Sequence, residues 1–524
     1  MLKKFEYKTV RSAFEILLTA ERAYPALERE FLNARAEIWA SFRIFDLTTR
    51  LRSDEARAIG ETWFDLIIHT LKRGVALNIV ITDFDPVARP ALHRMTWRSL
   101  RRLVAAAELA GPKARLKAIP AMHPARTGVL PRLVFWPMIL GKQIRAAAWL
   151  NRRPLPVRDT AIREMPGLAE RLVRLSDGRF RPRLWPLPCL YPATHHQKLA
   201  VFDRKRLYIG GLDLDERRYD TPDHDQRADE TWHDVQLLLD GPAATEAQAH
   251  LESFLDVTAG RAEPPRHRAL LRTLSRRRKH DAMHFGPEPL VQELATAHEH
   301  YARRTRRLIY LETQYFRDLK LARYLAGLAA GNPGLGMILI LPGAPEEIAF
   351  KRRAGLDARF GEFLQARALK ILMRSFGRRL FIGGAAQPRA FGEADESVNG
   401  RDRLHGAPLV YIHAKVSIFD DVAAIVSSAN LNGRSLRWDT EAGLLVTRRP
   451  DVQALRRQVF SHWLPSDAGD GFFDGARAVP EWRRLALENA RKAPADRAGF
   501  ILPYDLRAAE SDAASVPLVP DEMV

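Results

Sequence analysis

Cysteine is nearly missing from this sequence. Cys189 stands alone, which excludes an intrachain disulfide and any zinc site built on cysteine. Long apolar runs are missing as well: none reaches the roughly 18 to 20 residues that a membrane-crossing helix needs. The opening Met1-Leu2-Lys3-Lys4-Phe5-Glu6-Tyr7 is basic but has no apolar segment behind it, so it does not read as a secretory leader. The expectation is a cytoplasmic protein that at most rests on a membrane surface, or one exported by a route that needs no such leader. Acidic side chains are the third shortage. Against 82 Lys and Arg there are 63 Asp and Glu, a formal charge of +19. That balance favours polyanionic surroundings, nucleic acid or an anionic membrane face, without choosing between them.

What is present begins with size. A chain of 524 residues, 46% hydrophobic and 28% charged, buries a large core, either as two or more domains or as one pseudo-symmetric unit. A repeated grammar points to the second. His196-Gln197-Lys198 opens the run Leu199-Ala200-Val201-Phe202-Asp203, and Gly210-Gly211-Leu212-Asp213 follows. His413-Ala414-Lys415 opens Val416-Ser417-Ile418-Phe419-Asp420, and Ser427-Ser428-Ala429-Asn430 follows. In each copy Lys stands two residues after His, Asp seven after, and Asp or Asn seventeen after. A lone His-x-Lys carries almost no information; two copies agreeing at four positions are not chance.

Each copy reads as a β-hairpin, the first with strands at 198–202 and 207–209 around the turn Asp203-Arg204-Lys205-Arg206. Side chains alternate across a strand, so His196 and Lys198 share a face. Asp203 has the opposite parity and reads as a turn residue more than a participant in chemistry; Asp420-Asp421 occupies the same corner. Upstream, a strand at 37–45, a helix over 55–73 closed by Gly74 and a strand at 75–82 recur as a strand at 308–311, a helix to Ala330 and a strand at 337–341. Residues 12–36 read as helical, broken near Pro25, with further helices at 95–110 and 290–304. The apolar stretch 134–149 lies among Arg132, Lys142, Arg145, Arg152 and Arg153. It reads either as an interfacial patch or as an ordinary core helix and loop; Pro137, which breaks the helical period, favours the latter. Pro264-Pro265 and Arg276-Arg277-Arg278-Lys279 mark an exposed crossing, and residues 511–524 have the composition of a disordered end. The expected domains are a first half at 1–260 with an insertion at 111–185, a basic linker at 261–284, a second half at 285–465 and a tail at 466–524.

If the two hairpins meet at a pseudo-two-fold axis, one site gathers two imidazoles, two ammonium groups and two Asp/Asn side chains. Facing lysines repel unless an anion lies between them. A phosphodiester meets that need, since the cations stabilise charge on its equatorial oxygens as the transition state forms. A neutral His attacks phosphorus and a protonated one donates to the leaving alcohol, both roles suiting a group that titrates near neutrality. Water or another alcohol then takes the phosphoryl group from phosphohistidine. No metal or cofactor is called for, because the lysines supply the charge. A metal set of His195, His196, Asp203 and His233 lacks a clustered spacing such as His-Glu-x-x-His.

At these residues the sequence resembles the phospholipase D superfamily, whose signature is His-x-Lys-x4-Asp followed by a Gly/Ser pair and Asn, and it is most similar to the phospholipase D enzymes proper. The likeness extends to Arg218-Tyr219-Asp220-Thr221-Pro222 with His224, Trp232-His233-Asp234-Val235-Gln236, Leu311-Glu312-Thr313-Gln314 and Glu441. It implies an α/β fold with two pseudo-symmetric α-β-α sandwich halves in one chain. It implies His196 as nucleophile, His413 as general acid and Lys198 and Lys415 on the phosphate, with Asp203 and Asp420 completing the catalytic signature. Asp213, Asn430, Gly211 and Ser428 would border substrate, and Asp234 and Glu441 would orient the imidazoles. His195 falls out of register, and Ser427 stands where the signature has Gly. The implied reaction is hydrolysis of the distal phosphodiester of a glycerophospholipid to phosphatidic acid and head alcohol, with transfer to another alcohol open to the same site. The implied partner is a phospholipid membrane surface, and the implied state a monomer. The alternatives are a phosphatidyltransferase making cardiolipin-like lipids and a nuclease of the same superfamily. A catalytically dead binding protein is disfavoured by the two intact His-Lys pairs.

Overall fold

Two mixed sheets carry the same strand order. Numbering only their strands, the first holds β1 (Phe14–Leu18), β2 (Glu37–Phe42), β3 (Ala76–Thr82), β4 (Leu116–Ala121), β5 (Leu199–Phe202), β6 (Arg206–Gly210) and β7 (Val235–Asp240). They lie in the order β1-β7-β6-β5-β2-β3-β4. The second holds β8 (Leu270–Arg276), β9 (Glu288–Gln292), β10 (Leu308–Thr313), β11 (Gly336–Ile340), β12 (Leu380–Ala385), β13 (Lys415–Phe419), β14 (Ala423–Ser427), β15 (Glu441–Val446) and β16 (Ile501–Pro503). Its order, β9-β8-β15-β14-β13-β10-β11-β12-β16, repeats the first with one strand added at each edge. The pairing senses repeat too: β2-β3-β4 and β10-β11-β12 are parallel, and the remaining shared pairs are antiparallel. Parallel neighbours need a crossover, supplied by helices Trp63–Lys72 and Leu319–Gly331. Gly74 turns the first of these back to the sheet at φ +81°, a backbone that suits glycine. The structure, a computed structural model, describes residues 14–524 apart from 281, 353, 393, 394, 396–399 and 518. The basic opening at 1–7 lies outside the described residues, as does the start of the segment expected to be helical from residue 12.

Period-two alternation sorts each strand's side chains between two cores. Ala200 and Phe202 of β5 face outward, onto Leu66 and Leu103 of the helices covering the first sheet. Phe419 of β13 faces outward onto Leu294 and Tyr301. The inner faces share one core, in which Leu199, Val201, Leu207 and Ile209 meet Val416, Ile418, Ala424 and Val426. The chain is thus a duplicated α-β-α unit whose two sheets pack through a common interior.

Several expectations need correction. Residues 14–33 are a strand followed by helix Thr19–Asn33, which runs through Pro25. The helix expected over 55–73 is two, Asp54–Arg57 and Trp63–Lys72, parted at Gly60, where a Cβ would lie 2.3 Å from Asp65 Cβ. Part of the expected insertion, β4, belongs to the first sheet. The remainder builds its own small core from Ala147, Leu150, Ile162, Leu168 and Phe180, and helix Val129–Asn151 continues past Pro137. The stretch expected as a linker contributes β8, whose Leu270, Leu271 and Leu274 are buried. The tail is folded: helix Ala478–Arg491 buries Trp482, β16 pairs with β12, and near the C-terminus Glu522 pairs with Arg437. Among the described residues no helix is long and apolar enough to cross a membrane.

Candidate active site

The two hairpins meet through a pair of short parallel bridges, His195 with Thr440 and Ile412 with His233. In one, His196 N–H donates to Thr440 O at 2.8 Å; in the other, His413 N–H donates to His233 O at 2.8 Å. The segment leading into each His-Lys strand is therefore docked on the other half's segment that leads into β15 through Glu441 or into β7 through Asp234. The result is a crossed arrangement. His196 Nδ1 lies 3.0 Å from Glu441 Oε1, and His413 Nδ1 lies 2.6 Å from Asp234 Oδ2. A carboxylate on Nδ1 fixes the ring and leaves Nε2 for chemistry.

Lys198 and Lys415 fold back toward their own histidines. Lys198 Nζ donates to His196 O at 2.5 Å, and Lys415 Nζ donates to His413 O. Both lysines are buried, and burial lowers both pKa values, that of Lys415 to about 7. Burial, reinforced by these lysines, holds both imidazoles well below their ordinary value; Arg43 adds to the effect on His196 and Arg218 to that on His413. Burial also pushes the Glu441 carboxyl up to about 8 and that of Asp234 to about 6. The two ring side chains keep slight exposure, 14% for His196 and 7% for His413, so a ligand reaches them from one side. Such a site is short of negative charge and gains most from an anion.

The substrate-side candidates fall around this pair in symmetric positions. A Cβ on Gly211 would lie 2.4 Å from Asp234 Oδ1, so only glycine leaves room for that carboxylate. At the equivalent position Ser428 donates its hydroxyl to Glu441. Ser427 is accommodated because Gly443 stands opposite; a Cβ there would meet Ser427 Cβ at 2.5 Å. Asp213 accepts from Ile44 N–H at 2.9 Å and acts electrostatically on Lys198. Asn430 donates to Gln314 at 3.3 Å, and its buried Oδ1 has no hydrogen-bond partner among the described residues.

Asp203 and Asp420, grouped with the catalytic residues, belong elsewhere. Both adopt positive φ, +49° and +48°, at the hairpin turns away from the imidazoles. Asp203 accepts from Arg35, Ala36 and Glu37 N–H at 2.8–3.0 Å. Asp420 accepts from Arg306 and Leu308 N–H, each at 2.7 Å. Each ties its turn to the loop that enters the neighbouring strand of its own sheet, β2 or β10. Partial burial raises the Asp203 pKa, but those backbone donors outweigh it and hold the carboxyl below its usual value. His195 is likewise structural: its Nδ1 meets Thr440 Oγ1 at 2.8 Å, and burial lowers its pKa to about 3. Reading the sequence missed Arg43, which follows β2 and acts on His196. A charge inside the apolar run Ala40-Ser41-Phe42-Arg43-Ile44-Phe45 was its signal.

A chain of two α/β repeats that builds one cationic imidazole site from both repeats defines a structural class, and comparison with known proteins narrows it. Residues 392–463, which hold the second His-Lys pair, match the family described as cardiolipin synthase, PLD-like domain. Phospholipase D1 of Schizosaccharomyces pombe is 24% identical over 341 residues, covering 49% of this chain and 25% of that protein. Phospholipase D beta 2 of Arabidopsis thaliana is 21% identical over 373 residues, covering 48% and 40%. The chain thus spans less than half the length of these relatives. Among solved structures, phosphatidylserine synthase of Haemophilus influenzae Rd KW20 aligns with TM-score 0.47 and 11% identity over 91% of this chain and 93% of that one. Polyphosphate kinase of Porphyromonas gingivalis aligns with TM-score 0.39 and 10% identity over 85% and 49%. The sequence matches place the chain in the phospholipase D superfamily.

Proposed function

We propose that the protein is a phospholipase D, cleaving the distal phosphodiester of glycerophospholipids to phosphatidic acid and head alcohol. The crossed pairing of His196 with Glu441 and His413 with Asp234, beside two buried lysines, carries this reading. Lys198 and Lys415 hold the phosphate. Glu441 keeps a proton on His196 Nδ1, so the Nε2 lone pair attacks phosphorus; the P–N bond forms as the P–O bond to the head group breaks. His413, as imidazolium against Asp234, gives its Nε2 proton to the departing alkoxide. Its 2.6 Å carboxylate contact, shorter than that of His196, suits the ring that carries the positive charge. The phosphate charge between the lysines offsets their depression of the His413 pKa, so donor and substrate arrive together. Water, losing a proton to His413, then attacks phosphorus and breaks the P–N bond. An alcohol in place of water gives a transferred phosphatidyl group.

Docking on lipid falls, in this reading, to the inserted unit. Helix Val129–Asn151 exposes Leu130, Leu133, Val134 and Met138, and Trp185 nearby in sequence is 76% exposed. Apolar side chains beside Arg132 and Arg145 suit an anionic interface.

Phosphatidylcholine vesicles and single-stranded DNA, each offered with and without ethanol and chelator, test the reading. Phosphatidylethanol formed despite chelator is expected; DNA cleavage without lipid turnover would sink it. The family description that matches 392–463 makes a lipid acceptor the second reading, and cardiolipin formed from phosphatidylglycerol vesicles would favour it. Mass-spectrometric mapping of trapped phosphohistidine is expected to find His196 modified, with no adduct in His196→Ala. His413→Ala should retain a trace of turnover on a substrate with a good leaving group. Equal loss on all substrates would count against the assigned roles.

A further inference from the structure

We propose that His224, His233 and His462 bind a late first-row divalent cation, zinc by preference, at an interior site that staples the two halves together behind the His413 strand. One ring nitrogen from each lies within 4.8 Å of the others. His224 Nε2 and His462 Nε2 face each other at 2.9 Å, a hydrogen-bond distance, so the two rings need to part by only about 0.4–0.5 Å to take one tetrahedral ion at Zn–N distances of about 2.0–2.1 Å. His224 Nδ1 is 2.6 Å from Asp220 Oδ2. That carboxylate also accepts from Trp232 N–H at 2.6 Å. It therefore fixes the proton on Nδ1 and turns the Nε2 lone pair toward His462, as carboxylates behind metal-bound histidines do.

His233 supplies the independent sign of a missing partner. Its side chain is wholly buried, yet neither ring nitrogen makes a hydrogen bond among the described residues. Glu312 Oε1 stands 2.9 Å from His233 Nε2 without hydrogen-bond geometry, and that oxygen accepts no hydrogen bond among the described residues. Buried polar atoms left so are rare, and they point to an unseen ion or water. The fold does not require histidines here. Thr440 occupies the position equivalent to His233 in the other half, and its hydroxyl is satisfied by His195. The ligand set is imidazole only, with Glu312 beside it and no thiolate, which suits zinc among available cations. Trp463 and Phe500 wall the cluster, and only His462 is partly exposed, giving an ion one way in.

His224 and His233 belong to the first half, whereas His462 ends helix Arg449–Trp463 of the second. His233 N–H donates to Tyr411 O, and its carbonyl accepts from both His413 and Ala414. A cation at His233 therefore positions the backbone carrying His413 and its partner Asp234 without touching the phosphate.

The full-length protein, purified without chelator, should hold close to one equivalent of zinc by plasma mass spectrometry. After stripping with a strong chelator, Co2+ should give rise to the intense visible bands of a tetrahedral nitrogen site, and Zn2+ should raise Tm by several degrees. His462→Gln and His224→Gln should lose the bands and the Tm shift. Metal below a tenth of an equivalent, no cobalt bands and no Tm shift in the wild type would overturn the proposal and leave a hydrogen-bonded cluster. Bands unchanged in both variants would overturn it too, by placing the ion elsewhere. Metal content and spectrum are read without lipid turnover, so their failure is separate from failure of the proposed reaction.

Discussion

Arg43 and Gln314 occupy equivalent places in the two halves, each immediately preceding the residue that pairs with the Asp213 or Asn430 segment. The site is therefore symmetric in its imidazoles and lysines but not in its surrounding charge, and Arg43 weighs on His196. In the proposed reaction, attack requires the His196–Glu441 pair to hold a single proton, on Nδ1, while burial, which pushes Glu441 up to about 8, favours a second. The two groups titrate as a unit. A neighbouring cation disfavours the second proton, so on the proposed mechanism Arg43 is expected to extend activity toward acid pH. Arg43→Gln, which copies the other half, should move the acid limb of kcat/KM upward by about one pH unit. The sign follows because removing a positive charge raises the apparent pKa of the pair, so the singly protonated form is lost at higher pH. A limb that stays in place would separate Arg43 from the attacking ring. The motif aspartates show the opposite case: the most regular residues of the signature, Asp203 and Asp420, sit in turns at positive φ, as parity along the strand suggested and against their place in the catalytic signature.

At the scale of elements, the hairpins and the strand-helix-strand units upstream were legible because their periods are clean. What escaped had physical reasons. β8 was hidden by charge: Arg272, in its middle, is 1% exposed and forms an ion pair with Glu293 at 2.9 Å, so a buried strand read as part of a basic linker. The tail's polar composition concealed the core contacts of Trp482 and Ile501. Helix Val129–Asn151 was obscured by Pro137, and its outer face, with Val134 75% exposed, is left uncovered by the described residues. If that face meets lipid, each large apolar side chain adds about 1.5–3 kcal/mol of burial, or roughly tenfold or more in affinity. Val134→Asp with Trp185→Asp should therefore lower partition into anionic vesicles by at least about a hundredfold in flotation. Turnover of a water-soluble phosphodiester should stay within about twofold of wild type. Unchanged flotation would remove the helix from the lipid-facing surface.

The whole molecule is organised so that neither half completes the candidate site by itself. Both orienting carboxylates were visible in the sequence, but the crossing was not: His196 finds Glu441 across 245 positions and His413 finds Asp234 across 179, separations on which local pattern is silent. The shared core between β5, β6, β13 and β14 makes the same point in apolar terms, since either half alone exposes the inner face of its sheet. The chain divides cleanly between helix Pro242–Thr258 and β8, where residues 261–263 are exposed. Residues 1–262 and 263–524, produced separately, should each be inactive and prone to association through those inner faces. Produced together, they should co-purify as a one-to-one complex and recover a tenth or more of the intact turnover. The informative failure is activity in the first half alone. A self-associated pair of first halves would place His196 against Asp234 of its copy, a His-Asp contact like that of His413 in the intact chain. Turnover by that species would mean that two generic repeats suffice and that Glu441 has no particular role. Turnover only in the mixed complex would locate the function in the interface between unlike halves.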